Sequence, residues 1–384
     1  MNIYFDNAST TFPKPKIVVD SIYNYMTNVG GNANRASSSN SLETSKILYN
    51  CRNKISDFFH FNKPSNVIFT NNITTSLNIL IRGIIKEGDH IISSTMEHNS
   101  ILRPLHDCKA NMDIDLTLIP ALKTGYVQPC DIENAIKPNT KLVILSHASN
   151  VTGTIQNLEE IGLICKRHNI FFIVDSAQSA GVLNVFFDTL HADAIAFTGH
   201  KSLLGPQGIG GFIISDELNS VCSTIISGGT GSESHLLHQP DFLPDKFECG
   251  TMNMPGIVGL SSSIDYINQI GLNTIHEKLI YLRGTLLEGL MNINNIQVYG
   301  DINNSNSTTC ISINYKDVDA AELSYYLDTK GVQTRSGLHC APLAHKTIDT
   351  YPTGTLRLSL SYNNTIDEVN NVLKILNNFS KDNI

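Results

Sequence analysis

Short apolar runs, each closed by polar or turn-forming residues, recur through the middle of the chain. They are NVIFT (66–70), HIISS (90–94), LVILSHAS (142–149), IFFIVD (170–175), AIAFT (194–198) and IGGFIIS (209–215). Runs of this length, apolar at nearly every position, predict strands buried on both faces. Stretches with apolar residues at helical spacing lie between or before them, such as 158–169. Segment 41–60 likewise sets Ile47, Leu48, Cys51, Ile55, Phe58 and Phe59 at that spacing. The alternation predicts an α/β fold with a mostly parallel sheet covered on both faces.

The C-terminal third reads differently. Residues 308–315 and 354–365 pattern as strands, 320–331 and 366–379 as helices, the first ending at Gly331. This predicts a smaller α+β unit. Its boundary falls near Pro255–Gly256, before a long helical stretch over 257–292 interrupted near Gly271. No fixed-period repeat is visible.

Composition narrows the classes. The chain has 384 residues, 41% hydrophobic and 16% charged, which suits a buried core and argues against general disorder. With 27 Lys+Arg against 35 Asp+Glu, the net charge of −8 offers no basic face for nucleic acid. No apolar run approaches the ~20 residues that span a bilayer. The opening MNIYFDNASTTFPKP lacks a basic start followed by an apolar stretch, so a cytoplasmic protein is expected. The eight cysteines form no CxxC pair, which argues against zinc ribbons and dithiol redox motifs. Scattered cysteines of this kind are mostly reduced, buried and structural.

Candidate chemistry gathers after the predicted strands. IFFIVDSAQSAG (170–181) ends a strand at Asp175 and follows it with Gln178; AIAFTGHK (194–201) ends another just before His200 and Lys201. Ligand crevices of open α/β sheets lie at such carboxyl ends. Asp175 alone reads equally as a helix or turn cap, and Lys201 alone as a surface charge. Together they suit pyridoxal phosphate, held by a lysine Schiff base with an acid on its pyridine nitrogen. The run GPQGIGG (205–211) precedes a strand instead of opening a helix, so it is a weak dinucleotide signal. Thr74, Thr75 and Ser76 fall near a helix N-terminus, suited to a phosphate or to plain capping. His98 follows the strand at 90–94 and offers a flat imidazole for a cofactor ring.

TRSGLHCAPLAH (334–345) places Cys340 between Gly337 and Pro342, a predicted loop and a candidate reactive thiol. A free thiol is mostly protonated at neutral pH, so His339 or a nearby cation is expected to favour the thiolate. His339, Cys340 and His345 lack a fourth metal ligand, and no metal is expected. Arg335 and Arg357 are suited to gripping a substrate carboxylate.

TMEHNS, SHASNVTG, VDSAQSAG, TGHK, ECGTMN and RSGLHCAPL, in that order, resemble the class V aminotransferase-like enzymes, specifically the SUF-type (group II) cysteine desulfurases and selenocysteine lyases. The likeness runs from YFDNASTT (4–11) to LRLSLSYNNT (356–365). It implies the fold type I of pyridoxal-phosphate-dependent transferases, with a large domain (16–255) on a mostly parallel seven-stranded sheet. The smaller α+β domain would join 1–15 to 256–384. It also implies Lys201 as the Schiff-base lysine, Asp175 on the pyridine nitrogen, Gln178 on the ring oxygen and His98 stacked on the ring. Thr75, Thr198 and His200 would hold the phosphate, joined by Thr251 from the second subunit of a homodimer. Asn150 and Arg357 would take the substrate carboxylate, and Cys340 the sulfur, for delivery to an acceptor protein. The implied reaction converts L-cysteine to L-alanine. L-Selenocysteine cleavage, another lyase or transaminase reaction with Cys340 incidental, and a non-catalytic scaffold are the alternatives. Where many relatives carry Arg-x-x-His, this chain has Arg35 and then Ser38.

Overall fold

The near-continuous apolar runs become the centre of one sheet because side chains from both of its faces are buried. The computed structural model describes residues 2–33 and 38–382, with side chains to 379; Arg35 lies outside them. Strand β1 (Ile3–Tyr4) precedes the sheet. The sheet comprises β2 (Val67–Thr70), β3 (His90–Ser94), β4 (Asp115–Ile119), β5 (Thr140–Ser146), β6 (Phe171–Asp175), β7 (Ala194–Thr198) and β8 (Gly210–Ile214). Their spatial order is β2-β8-β7-β6-β5-β3-β4, with β8 antiparallel to both neighbours and all other pairs parallel.

Successive residues feed opposite cores. Val143, Leu145, Phe172 and Val174 pack on one face; Leu142, Ile144 and Ile173 pack on the other, against helices Ile73–Ile84 and Asn99–Asn111. Each such side chain contributes about 1.5–3 kcal/mol by leaving water, so a charge at Ile144 or Val174 would undo the sheet. The chain moves outward from β3 to β4 and then returns to β5 on the opposite side of β3. That reversal, between β3 and β5, opens a crevice at the strands' carboxyl ends.

The glycine run of 205–211 has a packing role. A Cβ on Gly211 would lie 2.3 Å from the Ile68 carbonyl and 2.6 Å from the Phe197 ring, so β8 fits between β2 and β7 only with glycine there.

A four-stranded antiparallel sheet holds β9 (Ile296–Tyr299), β10 (Cys310–Tyr315), β12 (Arg335–Gly337) and β13 (Thr355–Ser359) in the order β12-β13-β10-β9. β11 (Val332–Gln333) pairs with β1, and Asp6 bridges to Ser359. The first residues of the chain thus sit among its last strands. On that pairing we propose the division of 16–255 from 1–15 with 256–384. The helical stretch after 253 is two helices, Met254–Ile270 and Leu272–Met291, broken where Gly271 takes φ 90°. The patterns at 142–149 and 354–365 yield shorter strands, Thr140–Ser146 and Thr355–Ser359. Among the described residues no helix is long and apolar enough to cross a membrane.

Candidate active site

A cavity of about 210 Å³ opens at the carboxyl ends of β3, β5, β6 and β7. Asp175, Gln178, Thr198, His200, Lys201 and His98 line it, with Thr74, Asn150, Arg335 and Arg357.

Lys201 lies on the turn between β7 and β8, held from outside the sheet. Thr11 donates its hydroxyl to the Lys201 carbonyl (2.6 Å), and Lys14 Nζ donates to the His200 carbonyl (2.7 Å). Burial lowers the Lys201 ammonium below the ordinary lysine range, and Asp175 opposes that shift. Asp175 ends β6, and its Oδ1 accepts from the Ala177 amide (2.8 Å). Burial raises its carboxyl, with Lys201 acting the other way. Gln178 Nε2 donates to the Ala8 carbonyl (3.1 Å).

His98 caps helix Asn99–Asn111. Its Nδ1 accepts from the Ser100 amide (3.0 Å), which leaves the proton on Nε2. Burial first, then the neighbouring Lys201 and Arg335, push it down to about 3, so the ring is neutral. Glu97 beside it is fully enclosed and pushed up to about 7 by burial; it accepts from Ser94 Oγ (2.6 Å) and the Ser146 amide (2.8 Å). This carboxyl ties the end of β3 to the end of β5.

Among the described residues, Thr198 Oγ1 and His200 Nδ1 are two of the four buried polar atoms of the wall that lack protein partners, with His339 Nδ1 and Arg357 Nε. Unsatisfied buried groups are costly, and Thr198 and His200 face the same cavity as the N-terminus of helix Ile73–Ile84. A hydroxyl, an imidazole and helix amides suit a phosphate. With Lys201 and Asp175 on the same wall, the donor set fits pyridoxal phosphate.

Of the phosphate set, Thr75 lies just outside this cavity. Its hydroxyl turns to Asn72 Oδ1 (3.3 Å), and it lines a neighbouring depression with Thr70, Cys249 and the exposed Thr251. Successive helical residues differ by about 100° around the axis, so it is Thr74 that reaches the cavity. Thr251 is absent from the cavity wall of its own chain. Its segment is seated by Glu248, which accepts from Arg52 Nη1 (2.8 Å) and the Phe69 amide (2.7 Å).

Arg357 is 1% exposed. It donates to the Asn150 carbonyl, Asp6 Oδ1 and Ser9 Oγ, each at 2.9 Å, while its buried Nε lacks a protein partner among the described residues. Asn150 Nδ2 donates to the His339 carbonyl (2.7 Å). Cys340 is exposed, and its carbonyl accepts from the Asn99 amide (2.8 Å). The cation beside it is Arg335, whose Nη2 lies 3.7 Å from Sγ. His339 does not serve there: it is buried, bonded through Nε2 to the Thr355 carbonyl (3.1 Å), and held neutral at about 2, chiefly by burial. Nor is Arg335 free for a carboxylate alone, since its Nη1 is bonded to Ser9. Asp6 and Ser9 are site residues that the sequence patterns did not indicate.

The model of the aminotransferase class-V family matches residues 3–372. The chain belongs to that family, and its architecture is the pyridoxal-phosphate-dependent transferase fold type I. A probable cysteine desulfurase of Methanothermobacter thermautotrophicus is 34% identical over 96% of this chain and 92% of its own length. One of Pyrococcus abyssi is 33% identical over 99% and 94%. The apo structure of cysteine desulfurase from Thermococcus onnurineus superposes with a TM-score of 0.95 at 33% identity, covering 99% of this chain and 95% of the other.

Proposed function

We propose that this chain is a pyridoxal-phosphate-dependent cysteine desulfurase. The observation that carries the reading is the joint placement of Lys201, Asp175 and His98 around one cavity, with the exposed Cys340 on a loop bonded to its wall. The cofactor supplies an electrophilic carbon for the substrate amine and an electron sink for its α-carbon. Lys201, whose charged form burial disfavours, is placed to hold the cofactor and to take the α-proton. Asp175 would pair with the pyridine nitrogen, Gln178 with the ring oxygen, and the neutral His98, with an N–H to donate, would hold the ring. Thr74, Thr198 and His200 hold the phosphate.

Arg357, whose Nε is unpartnered and buried, takes the substrate carboxylate with Asn150. The Cys340 thiolate attacks the substrate sulfur. The carbon–sulfur pair stays on carbon, which takes a proton to give L-alanine, and Cys340 retains the sulfur as a persulfide. Exposure of Cys340 supports onward transfer to an acceptor protein.

The working unit is a homodimer in which Thr251 reaches the partner's phosphate site. Supporting this, exposed Ile225, Ile226, Leu237 and Phe242 cluster in the sequence just before Thr251. Eight free cysteines suit a reducing compartment such as the cytoplasm.

Brief incubation with L-cysteine tests the reading: alanine should appear and the Cys340 peptide should gain one sulfur by mass. Alanine release with no sulfur on Cys340 would overturn it.

A further inference from the structure

Ser9 has no part in the reaction just described, yet its hydroxyl is fully committed. It donates to Asp6 Oδ1 (2.7 Å) and accepts from Arg357 Nη2 (2.9 Å) and Arg335 Nη1 (3.0 Å). A serine hydroxyl has one proton and two lone pairs, so these three bonds use all of it. The guanidinium of Arg335 bonds to Ser9 at one end and points its other nitrogen at Cys340 Sγ, 3.7 Å away. Arg335 comes from the short strand β12, and the Cys340 backbone is left-handed at both residue 339 (φ 46°) and residue 340 (φ 58°). The loop's carbonyls at 339 and 340 are held by Asn150 and Asn99, whereas Ser9 holds the arginine. Because the guanidinium is a rigid planar fork, fixing one nitrogen fixes the direction of the others.

We propose that Ser9 is a positioning residue for Cys340: it anchors one end of Arg335 so that the other end faces the sulfur, and it shares the same oxygen with Arg357. The inference rests on Cys340 being the sulfur acceptor. Its consequence is that the cation serving the thiolate and the cation serving the carboxylate are set by one hydroxyl from the start of the chain. Loss of that hydroxyl frees Arg335 to swing into solvent, away from the Cys340 sulfur that it faces at 3.7 Å.

The test uses the full-length, cofactor-loaded protein and iodoacetamide. Alkylation is followed on the Cys340 peptide by mass, with the exposed Cys130 as internal control. Ser9→Ala should slow Cys340 alkylation at neutral pH about two- to fivefold, the range of a partly exposed ion pair. It should leave Cys130 unchanged. Ser9→Thr, which keeps the hydroxyl, should restore the rate. Arg335→Gln should slow alkylation at least as much, and adding Ser9→Ala to it should slow it no further. Ser9→Gly repeats the deletion on a different backbone, so a folding fault in one variant leaves the other decisive. Wild-type alkylation in both deletions, or effects of Ser9→Ala and Arg335→Gln that multiply, would overturn the proposal. A Cys340→Ala enzyme that still releases alanine from cysteine would instead overturn the functional reading, so the two failures are separable.

Discussion

The turn that carries Lys201 and the loop that carries Cys340 are built on opposite terms. The Lys201 turn joins two central strands, and its carbonyls are taken by Thr11 and Lys14. The Cys340 loop hangs from the edge strand β12 and exposes its sulfur, while its carbonyls lean on Asn99 and Asn150. One needs a fixed amine in a dry cavity, because burial disfavours its charged form. The other has to meet a substrate inside and an acceptor outside, which a fully buried thiol cannot do.

Removing each centre should therefore fail differently. Lys201→Ala should abolish turnover and the visible absorbance of covalently held cofactor; a normal spectrum would end the assignment of Lys201. Cys340→Ala should keep that spectrum and the wild-type unfolding midpoint, while alanine release from cysteine falls to background. Loss of cofactor in this variant would mean that the loop belongs to the buried centre after all. Asp175→Asn should retain cofactor but lose roughly 10²-fold or more in kcat, since an amide cannot hold a protonated pyridine nitrogen. Near-wild-type rates would remove Asp175 from that role.

The smallest effect concerns the carboxyl that ties the ends of β3 and β5. Glu97 is raised from 4.5 to about 7 in the fold. A carboxyl with a raised folded value favours the fold fully at low pH, and that contribution is lost as pH climbs from about 4.5 to 7. Glu97→Gln removes this dependence. The unfolding free energies of wild type and variant should therefore diverge across that window, against wild type, by on the order of 3 kcal/mol. Denaturant titrations at pH 5 and pH 8 check it, and a constant difference would show Glu97 ionised throughout.

Legibility in the sequence followed burial. Central strands such as β5 and β6 announced themselves because both faces are apolar. Strand β4 did not, since Asp115 to Thr117 run exposed to half-buried at the sheet edge. Helix Asn99–Asn111 was missed because it is polar on average and contains Pro104. Residues just past strand ends were readable as chemistry because the sheet delivers them to one crevice. Which of Thr74 and Thr75 lines the cavity was not, because it turns on where the helix begins. Asp6 and Ser9 were invisible for another reason: they meet Arg357 and Arg335 across more than 300 residues of chain, and no local pattern records such a contact.

The pairing of β1 with β11, and of Asp6 with Ser359, also governs the order in which the molecule becomes competent during synthesis. The ribosome delivers residues 3–11 more than 300 residues before their partners at 332–333 and 357–359. Until those strands emerge, Thr11 and Lys14 have no anchored platform from which to brace the lysine turn, although the large sheet can already form. A nascent chain stopped before Thr355 should hold a folded sheet and no working lysine, which limits reactive chemistry to finished molecules. Cofactor absorbance measured on chains arrested before and after residue 359 would reveal that timing.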